Sequence, residues 1–167
     1  LSKRPPIDHS GIWLVSEPKL YAPQLSAGQS LFFSLRANPV ITVKNAEGKK
    51  ERHDVVMWEK KRMGFSEMPK TKRPLEQALV QQTCIPWLAQ RAEKLGFTLH
   101  TDSVLVDGYQ QHESHSKQAK TAIRYSTVDF QGLLTVTDPE IFISETLFKG
   151  IGKAKAFGCG LMLIKRV

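Results

Sequence analysis

The side chains that could support acid–base or metal chemistry are few and scattered in this sequence. His112 and His115 have an H-x-x-H spacing in a polar segment, with Glu113 between them. A structural zinc ion needs about four ligands, so this set is too small to predict a metal site. His9 and His53 have no paired acid or nucleophile nearby in sequence and are predicted to be surface residues. The histidines therefore identify no catalytic centre.

A surplus of positive charge is more informative than the histidines. The chain has 167 residues, with 24 Lys and Arg against 16 Asp and Glu, which gives a net charge of +8 at pH 7. A basic domain is a candidate for binding a polyanion, although surplus surface lysines would give the same total. Six basic residues lie close together in the middle of the chain: Lys49, Lys50, Arg52, Lys60, Lys61 and Arg62.

The C-terminal segment, GIGKAKAFGCGLMLIKRV, combines glycines with lysines before an apolar run. Its glycines and lysines are Gly150, Gly152, Lys153, Lys155, Gly158 and Gly160. Glycines allow a backbone to approach a ligand closely, and its N–H groups can then meet phosphate oxygens. The two lysines would add positive charge at the same place. The composition of this loop is thus compatible with a phosphate-binding role.

Two nucleotide-binding motifs are excluded for this loop, but an ordinary turn is not. A dinucleotide fingerprint would need glycine where Lys155 stands, and a P-loop would need serine or threonine where Ala154 stands. Both motifs also open a helix, whereas this loop leads into a predicted strand. A helix cap followed by a bulge would explain the glycines equally well. The spacing alone does not decide between an ordinary turn and a phosphate-binding loop.

The elements that must position these groups begin at residue 31. Residues 31–43 are rich in aromatic and β-branched residues and predict a strand, broken at Asn38-Pro39. Residues 44–57 predict a hairpin with a turn at 46–48, and residues 59–74 predict an exposed basic loop. The first 30 residues are weakly organised, with one candidate strand at 11–17.

The second half of the chain predicts two helices and three strands. Apolar spacing near that of a helix covers residues 75–95 and ends at Gly96. Pro86 interrupts this spacing, which predicts either a kink or two helices, the second starting near Thr83. Residues 97–109 and 122–137 predict strands. Asp138-Pro139 predicts the start of a short helix that ends at Gly150. A last strand, within residues 157–167, completes the series.

This order predicts an α+β fold of the ferredoxin-like type. From residue 31 onward it is βαββαβ, with the hairpin inserted after the first strand, and such a fold has an antiparallel sheet with helices on one face. No apolar stretch approaches the roughly 20 residues that a membrane span needs. Cys84 and Cys159 form no disulfide or metal-binding pattern, so a reduced, cytoplasmic setting is expected.

Four segments resemble one family in the same order. Residues 150–164, GIGKAKAFGCGLMLI, closely resemble the C-terminal glycine-rich loop of the RAMP superfamily of CRISPR proteins. In particular, they are similar to the CasE-type repeat-processing endoribonucleases of type I-E systems. Residues 31–43, with their Arg-Ala-Asn-Pro core, resemble the strand that opens this family's second domain. The segments FQGLLTVTDP at 130–139 and AEKLG at 92–96 are similar to the strand before the loop and to the central helix.

The resemblance implies two ferredoxin-like domains in tandem. Residues 1–30 would be the C-terminal remnant of the first domain plus a linker, and residues 31–167 would be the second domain. The family binds the repeat hairpin of pre-crRNA and cleaves it at its 3′ base by metal-independent attack of a 2′-hydroxyl, using no cofactor. It then stays with the crRNA among the other subunits of the type I-E surveillance complex, Cascade. Its catalytic tyrosine and histidine have no counterpart here and are expected upstream of Leu1.

The resemblance also implies roles for particular residues. The family inserts a β-hairpin into the major groove of the RNA stem, so Lys117, Lys120 and Arg124 are predicted stem contacts. Lys153 and Lys155 are predicted to bind phosphate, and the four loop glycines to allow close approach or tight packing. Arg36 is predicted either to contact RNA or to be structural. Each lysine or arginine of the central basic cluster alone fits a solvated side chain, but the cluster as a whole is predicted to face RNA.

Two other functions stay open at this level. One is a non-catalytic RAMP subunit that scaffolds a guide RNA. The other is an unrelated ferredoxin-like RNA-binding module, against which the Arg-Ala-Asn-Pro strand and the C-terminal loop both argue. No interaction with a membrane is expected for any of the three.

Overall fold

The computed structural model describes residues 7–17, 19–114 and 122–167. Its strands are β1 (Ser30–Ala37), β2 (Val40–Lys44), β3 (Lys50–Asp54), β4 (Phe97–Leu99), β5 (Leu105–Ser114), β6 (Ile123–Val136) and β7 (Met162–Arg166). Its helices are α1 (Val55–Arg62), α2 (Glu76–Ala92) and α3 (Pro139–Ile141), and α3 continues as a π-helix over Phe142–Phe148. The prediction of an α+β fold is confirmed.

The strands form one main antiparallel sheet and one separate hairpin. The order in the main sheet is β4-β6-β1-β7, and β5 pairs with the first part of the long strand β6. A shift in register between Asp107 and Gln110 interrupts the β5–β6 ladder. β2 and β3 pair with each other and form a separate hairpin, so a hairpin is confirmed, although it covers residues 40–54 rather than the predicted 44–57.

The core lies between this sheet and helix α2. Along β1 the residues alternate, so that Leu31, Phe33, Leu35 and Ala37 are buried while the residues between them face away from the core. α2 covers this face with an apolar stripe that includes Leu79, Val80, Cys84, Trp87 and Leu88. The alternation in β1 and the helical spacing in α2 both arise from burial of one face.

Helix α2 is continuous, so the predicted alternative of two helices divided near Pro86 is wrong. Thr83 does not cap a second helix, because its hydroxyl donates to the carbonyl of Leu79 in the preceding turn, at 2.8 Å. Pro86 removes one backbone donor, but the apolar stripe on either side of it is buried against the same sheet. Tertiary packing thus outweighs the local cost of proline in this helix.

The predicted loop at residues 59–74 begins instead within a helix. α1 starts at Val55, and the carboxylate of Asp54 caps it by accepting a hydrogen bond from the amide of Met57 at 2.7 Å. Val55 and Val56 are buried. Two adjacent valines after a basic segment favour a strand, so the sequence pattern as a whole did not indicate that Asp54 caps a helix.

The helix boundaries marked by special residues are confirmed. Gly96 ends the segment that follows α2, with a φ of 78°. Asp138 caps α3 through the amide of Ile141, and Pro139 occupies the first turn. The predicted strand at 97–109 is divided into β4 and β5 by a 3₁₀ turn at Thr101–Ser103. β5 then extends to Ser114, into the segment predicted as a polar connector.

Residues 11–17, predicted as a strand, form none. The carboxylate of Asp8 accepts hydrogen bonds from the amides of Ser10 and Trp13, at 2.8 and 2.9 Å, and this folds the segment into a turn. Ile12, Trp13 and Leu14 are exposed. This segment therefore pairs with no strand among the residues that the structure describes.

Candidate nucleic-acid interface

The glycine-rich loop, residues 150–160, is fastened to the middle of the sheet. The amide of Gly160 donates to the carbonyl of Arg36 in β1 at 2.7 Å, and the amide of Ile151 donates to the carbonyl of Gly160 at 2.8 Å. These bonds join the two ends of the loop next to the strand that carries Arg36. β7 then pairs with β1, so the loop and the strand that follows it both lie beside the strand that carries Arg36.

The four loop glycines occupy two different surroundings. A Cβ at Gly150 or at Gly160 would lie within 2.7 Å of a backbone oxygen, so both positions exclude any side chain. A Cβ at Gly152 would make ordinary contacts with Trp87, and one at Gly158 would meet nothing within 4 Å. The glycines at the base of the loop thus permit tight packing, whereas Gly158 leaves its surroundings open.

The two loop lysines lie in different surroundings. Lys153 is exposed and lines a cleft beside the loop. The ammonium of Lys155 instead donates to the backbone carbonyl of Lys149 at 2.5 Å, next to the end of the π-helix. Lys153 is therefore the lysine of this loop that is placed to meet a ligand in the cleft.

This cleft combines several of the predicted RNA-binding residues. Its volume is about 780 Å³, and it lies between the end of the β2–β3 hairpin, the β5–β6 ladder and the glycine-rich loop. It brings together Arg52, Arg124 and Lys153, one from each of the three basic segments. Arg124 forms an ion pair with Glu113, directly across the ladder, at 3.2 Å. We refer to this concavity as the basic cleft.

Three stacked rings form one wall of the basic cleft. His112 in β5 and Tyr125 in β6 face each other across the ladder with ring centroids 4.8 Å apart. Phe157 of the glycine-rich loop stacks on Tyr125 with centroids 4.6 Å apart. The Nε2 atom of His112 lies 2.8 Å from the hydroxyl of Thr127, and this hydrogen bond orients the ring. We call these three residues the aromatic ladder.

A polar network centred on Asp54 lies beside the aromatic ladder. Besides capping α1, the carboxylate of Asp54 accepts hydrogen bonds from the hydroxyls of Tyr109, at 3.1 Å, and Ser126. Asn38 in turn donates to the carbonyl of Ser126 at 2.7 Å. Burial, and then the negative charge of Asp54, raise the pKa of Tyr109 above its ordinary value of 10.0. The network holds β2–β3, β5 and β6 together around the cleft.

Sequence reasoning missed both the aromatic ladder and the Asp54 network. His112 was considered only as a metal ligand, and no group of three or more His, Cys, Asp or Glu side chains within residues 7–17, 19–114 and 122–167 is placed to hold a metal ion. Tyr125 and Phe157 carry no local signal, because their meeting depends on the register of β6 and on the path of the loop. The cap at Asp54 was the one signal that the sequence did contain.

Arg36 is engaged in an ion pair on the exposed face of the sheet. Its guanidinium donates two hydrogen bonds to the carboxylate of Asp129, both at 2.7 Å, and the two residues are directly opposite in the β1–β6 register. The hydrogen bond to Asp129 raises the pKa of Arg36. A bidentate pair of this kind orients the guanidinium, whose side chain is still 59% exposed.

The central basic cluster is divided by the structure. Lys60 pairs with Glu76 at 2.5 Å and Arg62 pairs with Glu59 at 2.8 Å, so these two cations have acidic partners on α1 and α2. The remaining members outside the cleft lining, Lys49, Lys50 and Lys61, are exposed. Only Arg52 of the six lines the basic cleft. Lys117 and Lys120 lie outside the described residues.

An antiparallel α+β domain with a basic cleft and exposed stacked rings has the chemistry of a nucleic-acid-binding domain, because cations hold phosphates and rings stack on bases. In the described part of the chain, no helix has the length and apolar character needed to cross a membrane. The sequence profile of the CRISPR associated protein family matches residues 1–166, and the chain belongs to that family.

Individual relatives come from the same family. The chain is 30% identical over 158 residues to the CRISPR-associated endoribonuclease Cse3 of Thermus thermophilus, covering 90% of this chain and 62% of that protein. It is 30% identical over 141 residues to the CRISPR system Cascade subunit CasE of Escherichia coli, covering 83% of this chain and 59% of that protein. The chain thus spans about three fifths of the length of these curated relatives.

A solved structure supports the same relationship. The structure of CRISPR endoribonuclease Cse3 bound to a 19-nucleotide RNA is similar with a TM-score of 0.61 and 28% sequence identity. The match covers 91% of this chain and 63% of that chain. The resemblance to CasE-type proteins that the sequence indicated is therefore confirmed.

Proposed function

We propose that this chain is the RNA-binding part of a CRISPR repeat-processing endoribonuclease. The observation that carries the proposal is the basic cleft, which gathers Arg52, Arg124 and Lys153 from three separate segments around stacked aromatic rings. Cations spaced along a cleft suit the phosphate backbone of an RNA, which supplies most of the affinity in such complexes. The names of the two curated relatives, an endoribonuclease and a Cascade subunit, agree with this ligand.

The fold in this proposal is a ferredoxin-like domain over residues 31–167. In support, the sheet order β4-β6-β1-β7 places the first strand between the third and the last of a βαββαβ series, with β4 and β5 together acting as the second. α2 follows β1 and α3 follows β6, as that series requires. Residues 1–30 are proposed to be the C-terminal remnant of a preceding ferredoxin-like domain plus a linker.

The proposed substrate is the repeat stem-loop of pre-crRNA. Arg124 is the second residue of β6, and it is proposed to contact the stem together with Lys117 and Lys120. Lys153 and Arg52 would hold phosphates in the basic cleft, and the glycine-rich loop would approach the same strand. Arg36 and the exposed lysines of the central cluster are proposed as further, weaker phosphate contacts on the surface.

The proposed reaction is cleavage at the 3′ base of the hairpin without a metal ion. The 2′-hydroxyl attacks the adjacent phosphorus, the bond from phosphorus to the 5′-oxygen breaks, and a cyclic phosphate and a 5′-hydroxyl remain. This step needs a general base, a general acid and positive charge near the phosphorane. The residues assigned above serve binding, and none is assigned to proton transfer. After cleavage the protein is proposed to stay with the crRNA in the type I-E surveillance complex.

The experiment that tests RNA binding measures affinity for the repeat RNA of the chain's own CRISPR array at several salt concentrations. R52A, R124A and K153A should each weaken binding, and each lost phosphate contact should lower the log–log salt slope by about 0.7–0.9. Lys72→Ala removes one exposed lysine away from the cleft and is the matched control. Equal affinity and slope in all four variants would contradict the proposal.

The reaction is tested on the same RNA with a chelator present. Cleavage by the full-length enzyme in the chelator, with a cyclic phosphate on the upstream product, is the expected result. Binding by the full-length enzyme without cleavage, with or without divalent metal, would instead favour a non-catalytic subunit that scaffolds guide RNA. Cleavage that requires added divalent metal would contradict the proposed chemistry.

A further inference from the structure

Phe157 presents a ring to solvent at the outer end of the aromatic ladder. It is 41% exposed, although it is one of the large apolar residues of the chain. One face of the ring lies against Tyr125, at 4.6 Å between centroids. The side of the ring away from Tyr125 is therefore the side that a ligand in the cleft could reach.

The aromatic ladder is not part of the hydrophobic core. The largest fully buried rings are Phe33, Phe97, Phe130 and Phe142, between the sheet and the helices. His112, Tyr125 and Phe157 lie outside this cluster and line the basic cleft. Leaving a phenylalanine half-exposed forgoes the stabilisation that burial would bring. Such a ring on a cleft wall suits a flat, apolar ligand surface.

Cations adjoin the ladder in the same cleft. Lys153 is four positions before Phe157 in the loop, and Arg124 precedes Tyr125 in β6. Both line the basic cleft with the two rings. A flat ring beside positive charges is the combination that holds single-stranded nucleic acid, because a base stacks while its phosphate is neutralised.

We propose that the outer face of Phe157 stacks on an unpaired nucleobase of the bound RNA, with the adjoining phosphate held by Lys153. This inference rests on the proposed RNA binding and specifies which feature of the RNA the cleft takes. Bases inside a stem are stacked on both sides and offer no free face. The ligand of this subsite is therefore a nucleotide outside the paired stem.

Hydrogen bonds support the subsite from both sides. The His112 ring is held by Thr127, at 2.8 Å, and the loop that carries Phe157 is tied to β1 through the amide of Gly160. A rigid ring loses little side-chain freedom when a base stacks on it, so more of the stacking energy appears as affinity.

The competing explanation is that Phe157 only fastens the glycine-rich loop to the β5–β6 ladder. Phe157→Leu and Phe157→Tyr separate the two roles, because leucine keeps apolar contact with Tyr125 but lacks a flat ring, whereas tyrosine keeps the ring. The probes are two versions of the repeat RNA: the hairpin with its single-stranded flanks, and the paired hairpin alone. In the first, 2-aminopurine replaces each unpaired purine in turn, and its fluorescence is quenched by stacking.

The expected result is that F157L weakens binding of the flanked RNA about tenfold, the scale of one lost base–ring stack. F157Y should bind like the unchanged protein, and the hairpin alone should bind all three equally. One aminopurine position should be quenched by the unchanged protein and by F157Y but not by F157L.

Two results overturn the inference while leaving RNA binding intact. One is an equal loss of affinity for both RNAs in F157L, which would show that the ring only supports the loop. The other is salt-dependent binding with no quenched position and no effect of F157L. If the unchanged protein binds neither RNA, the proposed function fails and this inference fails with it.

Discussion

Gly150 and Gly160 lie against each other at the base of the glycine-rich loop, and neither position has room for a side chain. A Cβ on Gly150 would stand 2.7 Å from the carbonyl oxygen of Gly160, and a Cβ on Gly160 would stand 2.6 Å from the carbonyl oxygen of Ile151. All the atoms in question belong to the backbone, so they cannot move aside as a flexible side chain could. The contact fixes the path of the loop that carries Lys153 and Phe157.

Alanine at Gly150 or Gly160 is therefore expected to destabilise the protein more than alanine at Gly158. All three glycines have positive φ, so each substitution costs about 1–2 kcal/mol of backbone strain. At Gly158 nothing lies within 4 Å of the added Cβ, whereas at the other two the backbone must also shift. Urea unfolding of the three variants measures the difference. Equal losses would show that the strain alone matters.

The sequence predicted best the features that local chemistry determines. The aromatic and β-branched composition of β1, the capped start at Asp138-Pro139 and the glycine at position 96 all act over a few residues, and the elements that they predict are found. The order of helices and strands follows from such signals. The main error inside a helix was at Pro86, where burial of the α2 stripe outweighs the proline penalty.

The basic cleft was only partly predictable, because it depends on contacts between distant segments. Arg52, Arg124 and Lys153 were each identified, but no sequence spacing shows that they share a cleft while Lys60 and Arg62 pair with acids elsewhere. The aromatic ladder requires the register of β5 against β6, which a shift between Asp107 and Gln110 displaces. Such registers are set by tertiary pairing rather than by local preference.

The two lysines of the glycine-rich loop are expected to differ in their effect on RNA binding. Lys153 lines the basic cleft, while Lys155 donates to the carbonyl of Lys149. Lys153→Ala should weaken binding and lower the salt slope by nearly one phosphate contact, and Lys155→Ala should change the slope less. Filter binding over a range of salt concentrations measures both. A larger change of slope in K155A would mean that Lys155 leaves its carbonyl to bind phosphate.

Cys84 is expected to be unreactive in the folded protein. Its side chain has no exposed surface, and burial raises the pKa of its thiol from 9.0 to about 12. Thiol reagents react with the thiolate, so labelling at neutral pH should require unfolding. Mass spectrometry after brief alkylation, with and without urea, measures the modified fraction. Rapid labelling of Cys84 without urea would show that the α2–sheet interface opens readily.

Tyr109 is expected to make stability fall at alkaline pH. Burial and the charge of Asp54 raise the pKa of Tyr109 in the folded protein above its ordinary value of 10.0. Between these two pKa values the unfolded chain has lost the proton while the folded protein still holds it. Stability then decreases as pH rises, by at most about 1.4 kcal/mol per pH unit and by less because the side chain is only half-buried.

Tyr109→Phe is the variant that isolates this contribution. It removes the titrating hydroxyl and keeps the ring, so its free energy of unfolding should fall less steeply above pH 10.0 than that of the unchanged protein. Asp54→Asn removes the nearby negative charge and should reduce the difference between the two curves. Urea unfolding at a series of pH values on both sides of 10.0 measures each slope. If the unchanged protein and Y109F give parallel curves, the hydroxyl of Tyr109 ionises equally in the folded and unfolded chain, and the Asp54 network does not hold its proton.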